Sequence, residues 1–543
     1  VVAVLAGYIG LGLVVLAPEG VYTGDIGVKY VQARDLAANR FGSLRLTYPG
    51  EFLDPERAFF PLRPPFIMTS GGTTQAIFPP AAAIVHAIPV WIAGIRGLVL
   101  LSIFSAAAIL WAAWKLAPAG LGPAAVLVLG IASPLWFYAV VGLEHAPAVA
   151  LSTLAFVAAA RPGPRAALLS GVLVGAAAIL RDEAVLVLPG LLFALWRLRR
   201  DIRPLALATV AALVPLAAAA AVEVFWFERP FAAHVRHAVH FLQAALHLTS
   251  EPNPEIPSLQ PFTLEDRYQT VVNYWLAGSS EDAVLGLFAA AFALALLLRR
   301  IRQTAVGFLA VLAALLVVAA LDLVEVLTAP KWLAGLFRVA PYLALAFIPG
   351  PPGAPRQPMA TVAVVTAGLF LAIAFVGVDT TGGKSLGPRL LLPIVPLLTI
   401  GAVVRIQQYW RSPVRLDRLV AAAGGALIAA AAAFHLGGTI PAYVQRNRDD
   451  AAAVVSAGRA PARVVVADDP FTAQLLFPLY YRKIVLLAGS RDAGLKLGDA
   501  LTTHRVAHVL LVSREAQPRV RLDPLQLQRS ERHGRMVIQH WRR

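Results

Sequence analysis

The stretch TVAVVTAGLFLAIAFVGV, residues 361–378, decides the fold. It carries no charge and does not alternate. A membrane β-strand alternates apolar and polar residues, and only helix bundles and closed barrels cross a bilayer with every backbone polar group paired. An unbroken apolar run of this length therefore predicts a membrane helix. Comparable runs recur at about 1–17, 96–117, 121–139, 143–160, 166–180, 184–199, 205–224, 283–300, 304–322, 333–349, 390–405 and 419–438. The expected fold class is an all-α polytopic membrane bundle of about thirteen spans. Several runs fall short of the ~20 residues that a straight span needs.

Composition agrees. Of 543 residues, 58% are hydrophobic and 14% charged, against about 25% charged in soluble domains. An ordinary soluble enzyme and a disordered chain are both excluded. The chain has no cysteine, which removes disulfides, thiolate zinc sites, Fe–S clusters and a cysteine nucleophile. It begins at Val1, inside an apolar run and without Met, which points to a trimmed N-terminus. The net charge of +16 invites a nucleic-acid reading, but basic loops that fix orientation account for it first. No nucleic-acid partner is expected.

Orientation follows from the basic residues near span ends. One set of loops holds Lys115, Arg161, Arg165, Arg197, Arg199, Arg200, Arg203, Arg299, Arg300, Arg302, Arg356, Arg405, Arg411, Arg415 and Arg418, opposed only by Asp201 and Asp417. All fall on one side under this span list, the cytoplasmic side. The expected location is the cytoplasmic (inner) membrane, multi-pass. The outer side then receives residues 18–95, residues 225–282, the short loop Val378–Arg389 and the tail. Within the first loop, Ile77–Ile95 is apolar but contains Pro79, Pro80, His86 and Pro89, and reads as an interfacial or re-entrant segment. The membrane module is expected to cover 1–438 and an outer domain 439–543.

The tail alternates short β-rich runs with helical patterns: Arg463–Ala467, Phe471–Tyr481, Ile484–Ala488, Asp492–His504, Val506–Val512 and Arg535–Trp541. Strand, helix, strand, helix, strand predicts parallel pairing with right-handed crossovers, hence a small α/β domain. It contains no Gly-rich phosphate loop.

The few outer-face charges are the candidate site. Tyr22-Thr23-Gly24-Asp25-Ile26-Gly27-Val28-Lys29-Tyr30 opens the first loop. A carboxylate at the membrane boundary can accept a proton from a hydroxyl nucleophile or bind a metal. Gly24 and Gly27 beside it let the backbone turn and a ligand approach. Glu144-His145 sits where a span leaves the same face, and Arg181-Asp182-Glu183 lies between two short apolar segments. Intramembrane or boundary charges must be paired or wetted, and often mark function; Arg181 is suited to hold a phosphate. In the late loop Thr380-Thr381-Gly382-Gly383-Lys384-Ser385-Leu386-Gly387-Pro388-Arg389, a basic residue at a helix N-terminus opposes the helix dipole. An anion bound there by Arg389, Lys384 and free backbone N–H groups would explain the placement. His234, His237, His240 and His247 share one amphipathic pattern, read as an interfacial helix rather than a zinc site.

Taken in order, these features resemble the GT-C class of polytopic glycosyltransferases that use a lipid-phosphate sugar donor, related to bacterial protein mannosyltransferases and aminoarabinose transferases. The matching parts are the early acidic residue in Tyr22-Thr23-Gly24-Asp25, the second acidic site in Gly142-Leu143-Glu144-His145, the helical pair around Leu180-Arg181-Asp182-Glu183, and Gly383-Lys384-Ser385-Leu386-Gly387-Pro388-Arg389. No Trp-Trp-Asp motif is present, which disfavours the oligosaccharyltransferase branch. The Lys-Pro-Pro-Leu segment of the aminoarabinose branch is replaced by Phe78-Pro79-Pro80-Ala81.

The resemblance implies transfer from a polyprenyl-phosphate sugar to an acceptor hydroxyl on a cell-envelope glycan, lipid or protein. Asp25 would be the base, with inversion, and Glu144 and His145 would assist. Arg181, Lys384 and Arg389 would hold the phosphate, and Tyr22, Lys29 and Tyr30 would contact the acceptor or the loop. No metal ligand is assigned, although Mg or Mn is allowed. A lipid or solute transporter or flippase is the competing reading; it would favour internal repeats and mid-membrane charges. No repeat is seen, and Asp322 and Glu325 beside Lys331 come closest to such charges.

Overall fold

The computed structural model describes residues 1–64, 66–70, 73–228, 243, 248, 274–275, 335–372, 386–387, 389–515 and 517–543. The spans expected at 283–300 and 304–322, the four histidines between 234 and 247, Asp322, Glu325, Lys331 and Lys384 lie outside them.

The described chain is mostly helical, with a small sheet region at its C-terminal end. It opens with α1 (Val2–Ile9), which runs into a π-helical turn, Gly10–Val15. Next come α2 (Gly24–Ala38), the hairpin β1 (Ile67–Ser70) and β2 (Thr73–Ala76), and α3 (Pro80–Ala93). The apolar bundle continues with α4 (Ile95–Leu116), α5 (Gly122–Ile131), α6 (Leu135–Val140), α7 (His145–Ala160) and α8 (Pro164–Leu180). A 3-10 turn, Asp182–Leu186, leads into α9 (Val187–Arg199), and α10 (Arg203–Ala221) follows. After the undescribed stretch come α11 (Leu336–Val339), α12 (Pro358–Leu369), α13 (Val395–Trp410), α14 (Arg415–Ala433) and α15 (Ile440–Arg459).

Among the described residues four helices are long and apolar enough to cross a bilayer: Ile95–Leu116, Arg203–Trp226, Arg389–Trp410 and Arg415–Arg459. Large apolar side chains such as Trp91, Phe104, Val210 and Phe225 point outward, the pattern expected of a surface wetted by lipid. Helix contacts inside the bundle use small residues. Gly171 and Gly175 of α8 face the carbonyls of Ala208 and Ala212 of α10, and an added Cβ would sit 2.0 and 2.2 Å from those oxygens. Two small residues four apart let the helix backbones touch.

Several expected spans differ in detail. The run at 121–139 is two helices, α5 and α6, broken at Ser133-Pro134; proline removes a backbone donor and stops the first helix. The run at 333–349 is irregular, the four-residue α11 followed by a 3-10 stretch Pro341–Phe347. The segment read as interfacial is α3, separated from α4 by Gly94 in the left-handed region. The last apolar run does not stop near 438. Through a π-helical turn, Phe434–Thr439, it continues as α15, giving a 45-residue helix from Arg415 to Arg459.

The C-terminal residues form a five-stranded sheet in the order β4-β3-β5-β7-β6. Its elements are β3 (Val464–Ala467), α16 (Pro470–Leu475), β4 (Ile484–Leu487), α17 (Arg491–Thr503), β5 (His508–Ser513), β6 (Gln526–His533) and β7 (Met536–Arg542). β3, β4 and β5 pair in parallel, and β7 and β6 close one side antiparallel. Edge strand β4 does not face solvent bare: the Leu487 amide donates to the Phe59 carbonyl of the first loop at 2.9 Å. Covering an edge in this way blocks further pairing.

Candidate active site

The candidate site is built around the first turn of α2. The chain leaving the first apolar helix is gripped by α15. Asn447 donates through Nδ2 to the carbonyls of Ala17 (3.0 Å) and Gly20 (2.6 Å), and its Oδ1 accepts from the Ala17 amide (2.8 Å). Next to it, the Arg446 guanidinium lies 4.2 Å from the centre of the Tyr22 ring and donates to the Tyr22 carbonyl. The Tyr22 ring meets Phe137 edge-on at 5.1 Å. These contacts fix the backbone just before Gly24, where α2 begins.

Gly24 and Gly27 were expected to let the chain turn and a ligand approach. Both lie inside α2, and what approaches them is α16. A Cβ on Gly24 would stand 1.5 Å from Oε1 of Gln474, and one on Gly27 would stand 2.3 Å from the Gln474 carbonyl. The C-terminal sheet region therefore packs directly on the turn that carries Asp25. Gln474 is fully buried, and neither polar atom of its amide has a hydrogen-bond partner among the described residues. Nothing in the local sequence marks it.

Asp25 faces Arg389, with Oδ2 and Nη1 at 3.1 Å. One turn further along α2, Lys29 points to Glu144. Its Nζ stands 2.8 Å from both carboxylate oxygens, and both side chains are essentially without solvent exposure. Arg181 closes the far side of the network. Its Nη1 reaches Glu144 Oε1 at 3.1 Å, and its Nε reaches Glu183 Oε1 at 2.9 Å. Burial pulls the Lys29 ammonium below its ordinary value, while Glu144 and then Asp25 pull it back up. The Lys29 Nζ also sits 4.3 Å from the centre of the Phe78 ring, close enough for a cation–π contact.

Two turns aim these groups. Gly142, two residues before Glu144, has φ +80°, and Gly387, two residues before Arg389, has φ +67°. An L side chain is strained in that region, so glycine delivers each charged residue into the site at a sharp corner. His145, at the start of α7, is buried. Neither of its ring nitrogens has a hydrogen-bond partner among the described residues, and its ring lies 5.5 Å from that of Tyr138.

The structure thus brings together Asp25, Lys29, Glu144, His145, Arg181, Glu183 and Arg389, and adds Gln474 and Arg446, which the sequence did not single out. Tyr22 lies beneath them in the aromatic cluster. Tyr30 turns away: its hydroxyl accepts from Arg34 at 3.0 Å, and Arg34 lies 4.0 Å from the centre of the Tyr481 ring. Lys384 lies outside the described residues.

Further along, α2 holds a second latch to the C-terminal sheet region. Asp35 accepts from the Thr47 amide at 2.8 Å and from the Tyr481 hydroxyl at 2.7 Å. Tyr480 donates to the Thr47 carbonyl at 2.7 Å. Burial raises the Asp35 carboxyl above its ordinary value, and these hydrogen bonds hold the rise back.

No protein-family model matches the chain, and no curated protein matches it. Among solved structures, the chain is similar to ArnT from Cupriavidus metallidurans bound to undecaprenyl phosphate. The sequences are 15% identical, the TM-score is 0.47, and the match covers 99% of this chain and 97% of that one. The apo state of the same ArnT matches over the same shares at 14% identity and a TM-score of 0.39.

Proposed function

We propose that the chain is a membrane glycosyltransferase that moves a sugar from a polyprenyl-phosphate donor to an acceptor hydroxyl on the outer face of the cytoplasmic membrane. The observation that carries this reading is the Asp25–Arg389 pair. A carboxylate at the start of a boundary helix stands against a guanidinium delivered from the late loop, with the buried Glu144 network behind it. This supplies a proton acceptor and an anion holder at one place.

In the proposed step the acceptor oxygen attacks the anomeric carbon from the face opposite the phosphate. Its proton passes to the Asp25 carboxylate, and the carbon–oxygen bond to phosphate breaks. The electron pair leaves with the polyprenyl phosphate, and the anomeric centre inverts. Developing charge on the phosphate needs fixed cations in a poorly solvated site; Arg389 supplies one, with Arg181 and Lys384 as its proposed companions. In the resting pair Arg389 occupies Asp25. Arrival of the donor phosphate draws Arg389 to itself and frees the carboxylate to act as base, so the base is released only when a donor is present. That order limits wasteful hydrolysis. The outer sheet region, packed on α2, holds the first turn in place.

The experiment follows labelled sugar from polyprenyl-phosphate donors into envelope material, in membranes bearing the wild-type chain or Asp25→Asn. The expected result is transfer by wild type and its loss in the variant, with expression and donor binding retained. Normal turnover by Asp25→Asn removes the base assignment.

A further inference from the structure

The GT-C resemblance admits Mg or Mn at the acidic pair, and the side chains around that pair can be tested for fit. Glu144 is buried, and its carboxylate is already engaged: Lys29 Nζ touches both oxygens at 2.8 Å, and Arg181 takes Oε1 at 3.1 Å. Asp25 is held by Arg389. A hard dication needs about six oxygen ligands at roughly 2.0–2.6 Å. On its open side the space filled by the Lys29 Nζ is covered by the Phe78 ring, 4.3 Å away. An aromatic face offers no oxygen to a metal but attracts an ammonium. Among the described residues no three His, Asp or Glu side chains converge as a metal-binding group. The ring nitrogens of His145 have no hydrogen-bond partner among the described residues and lie in the field of Arg181, Lys29 and Arg389, opposed by Glu144 alone.

Charge balance points the same way. Among the described residues Asp25, Glu144 and Glu183 are matched by Lys29, Arg181 and Arg389. Adding a dication would leave two positive charges uncompensated beside the buried Lys29–Glu144 pair, and burying an unpaired charge is costly.

We infer that Lys29 takes the place of a divalent ion: its ammonium neutralises Glu144 and pins α2, so that the transfer chemistry at Asp25 runs without a metal. The inference rests on the glycosyltransferase reading. Asp25 and Lys29 are four residues apart and share one face of α2. Fixing Lys29 on Glu144 therefore fixes the direction in which Asp25 points, and Lys29 is a positioning residue.

The test uses the full-length chain in lipid nanodiscs, with transfer measured in EDTA and again after Mg2+ or Mn2+ is added, and with Mn2+ binding followed by electron paramagnetic resonance. Wild type is expected to transfer equally well in EDTA and to bind no stoichiometric Mn2+. Lys29→Ala is expected to lose transfer by about 100-fold or more, the scale of removing one partner from a buried ion pair. A small alkylammonium ion should restore it, which a purely structural defect would not allow. Loss of wild-type transfer in EDTA that Mg2+ reverses overturns the inference. So does one Mn2+ per chain that Asp25→Asn abolishes, or wild-type transfer by Lys29→Ala in EDTA. If wild type transfers no sugar under any condition, the glycosyltransferase reading fails instead, and the Mn2+ measurement still decides whether the cation site is filled by Lys29.

Discussion

Arg389 Nη1 and Asp25 Oδ2 meet at 3.1 Å although 364 residues separate them in the chain. The pair joins the start of α2 to the entry of α13, and each partner limits what the other can do. Alanine at Arg389 should weaken binding of polyprenyl phosphate by about tenfold or more, the scale of a lost charge-assisted hydrogen bond. Combined with Asp25→Asn in a double-mutant cycle, the two changes should fail to add by about 0.5–3 kcal/mol. Isothermal titration with the lipid phosphate reads both quantities, and strict additivity would show that the residues do not act on one another.

Gly24 and Gln474 make a steric prediction. Gly24→Ala drives a methyl into the Gln474 amide, and overpacking of this kind costs about 1–3 kcal/mol. Thermal unfolding of the full chain should show the loss. Adding Gln474→Ala should recover most of it, since the space the amide vacates accepts the methyl. No recovery would mean that the strain lies in the α2 backbone.

The latch at Asp35 should be measurable on its own. Tyr481→Phe removes the donor to a buried carboxylate oxygen, which costs about 1–3 kcal/mol when the acceptor is left unpaired. Limited proteolysis is expected to release the C-terminal sheet region sooner from this variant. Equal protease resistance would assign the docking to the Gln474 contact instead.

A pH dependence follows from Asp468, which closes β3. Burial is the main cause that moves its carboxyl from an ordinary 3.8 up to about 6, opposed by a hydrogen bond with Ser513. Between those values the folded chain holds a proton that the unfolded chain has released. The stability contributed by Asp468 is therefore complete below pH 3.8 and is lost as pH rises to about 6. Asp468→Asn should cancel this part of the slope when melting temperatures of variant and wild type are compared across that range. Parallel curves would count against it.

Much of the architecture was legible because it is written in local patterns. The unbroken run at 361–378 announces an apolar helix, of which the described residues hold α12 (Pro358–Leu369) and a 3-10 turn, Phe370–Ala372, shorter than a full span; the parallel core of the C-terminal sheet follows from short β-rich runs separated by helical ones. β6 was not legible. Its residues Gln526–His533 are mostly polar and exposed, as an edge strand that resists further pairing should be. The continuation of α14 into α15 was hidden as well: hydropathy falls at Gly437-Gly438 while the backbone stays helical through the π-helical turn.

In the site, the sequence marked the charges by their place at span ends. Their pairing could not be read, since Lys29 and Glu144 are 115 residues apart. Gln474 was out of reach for a similar reason. Its importance comes from the glycine it touches, and only the fold brings α16 to α2.

The 45-residue helix from Arg415 to Arg459 has a mechanical consequence. At 1.5 Å per residue it is about 68 Å long, roughly twice the ~30 Å hydrocarbon slab. The same rod leads into the C-terminal sheet and, through Asn447, holds the strap at Ala17 and Gly20 that leads into α2. No slack linker separates this rod from the strap, so a tilt of the rod would shift the turn that carries Asp25. The π-helical turn at Phe434–Thr439 lies within this rod, with His435 held between Trp136 and the Val339 carbonyl. The position of Asp25 is thereby tied to the tilt of a single long helix.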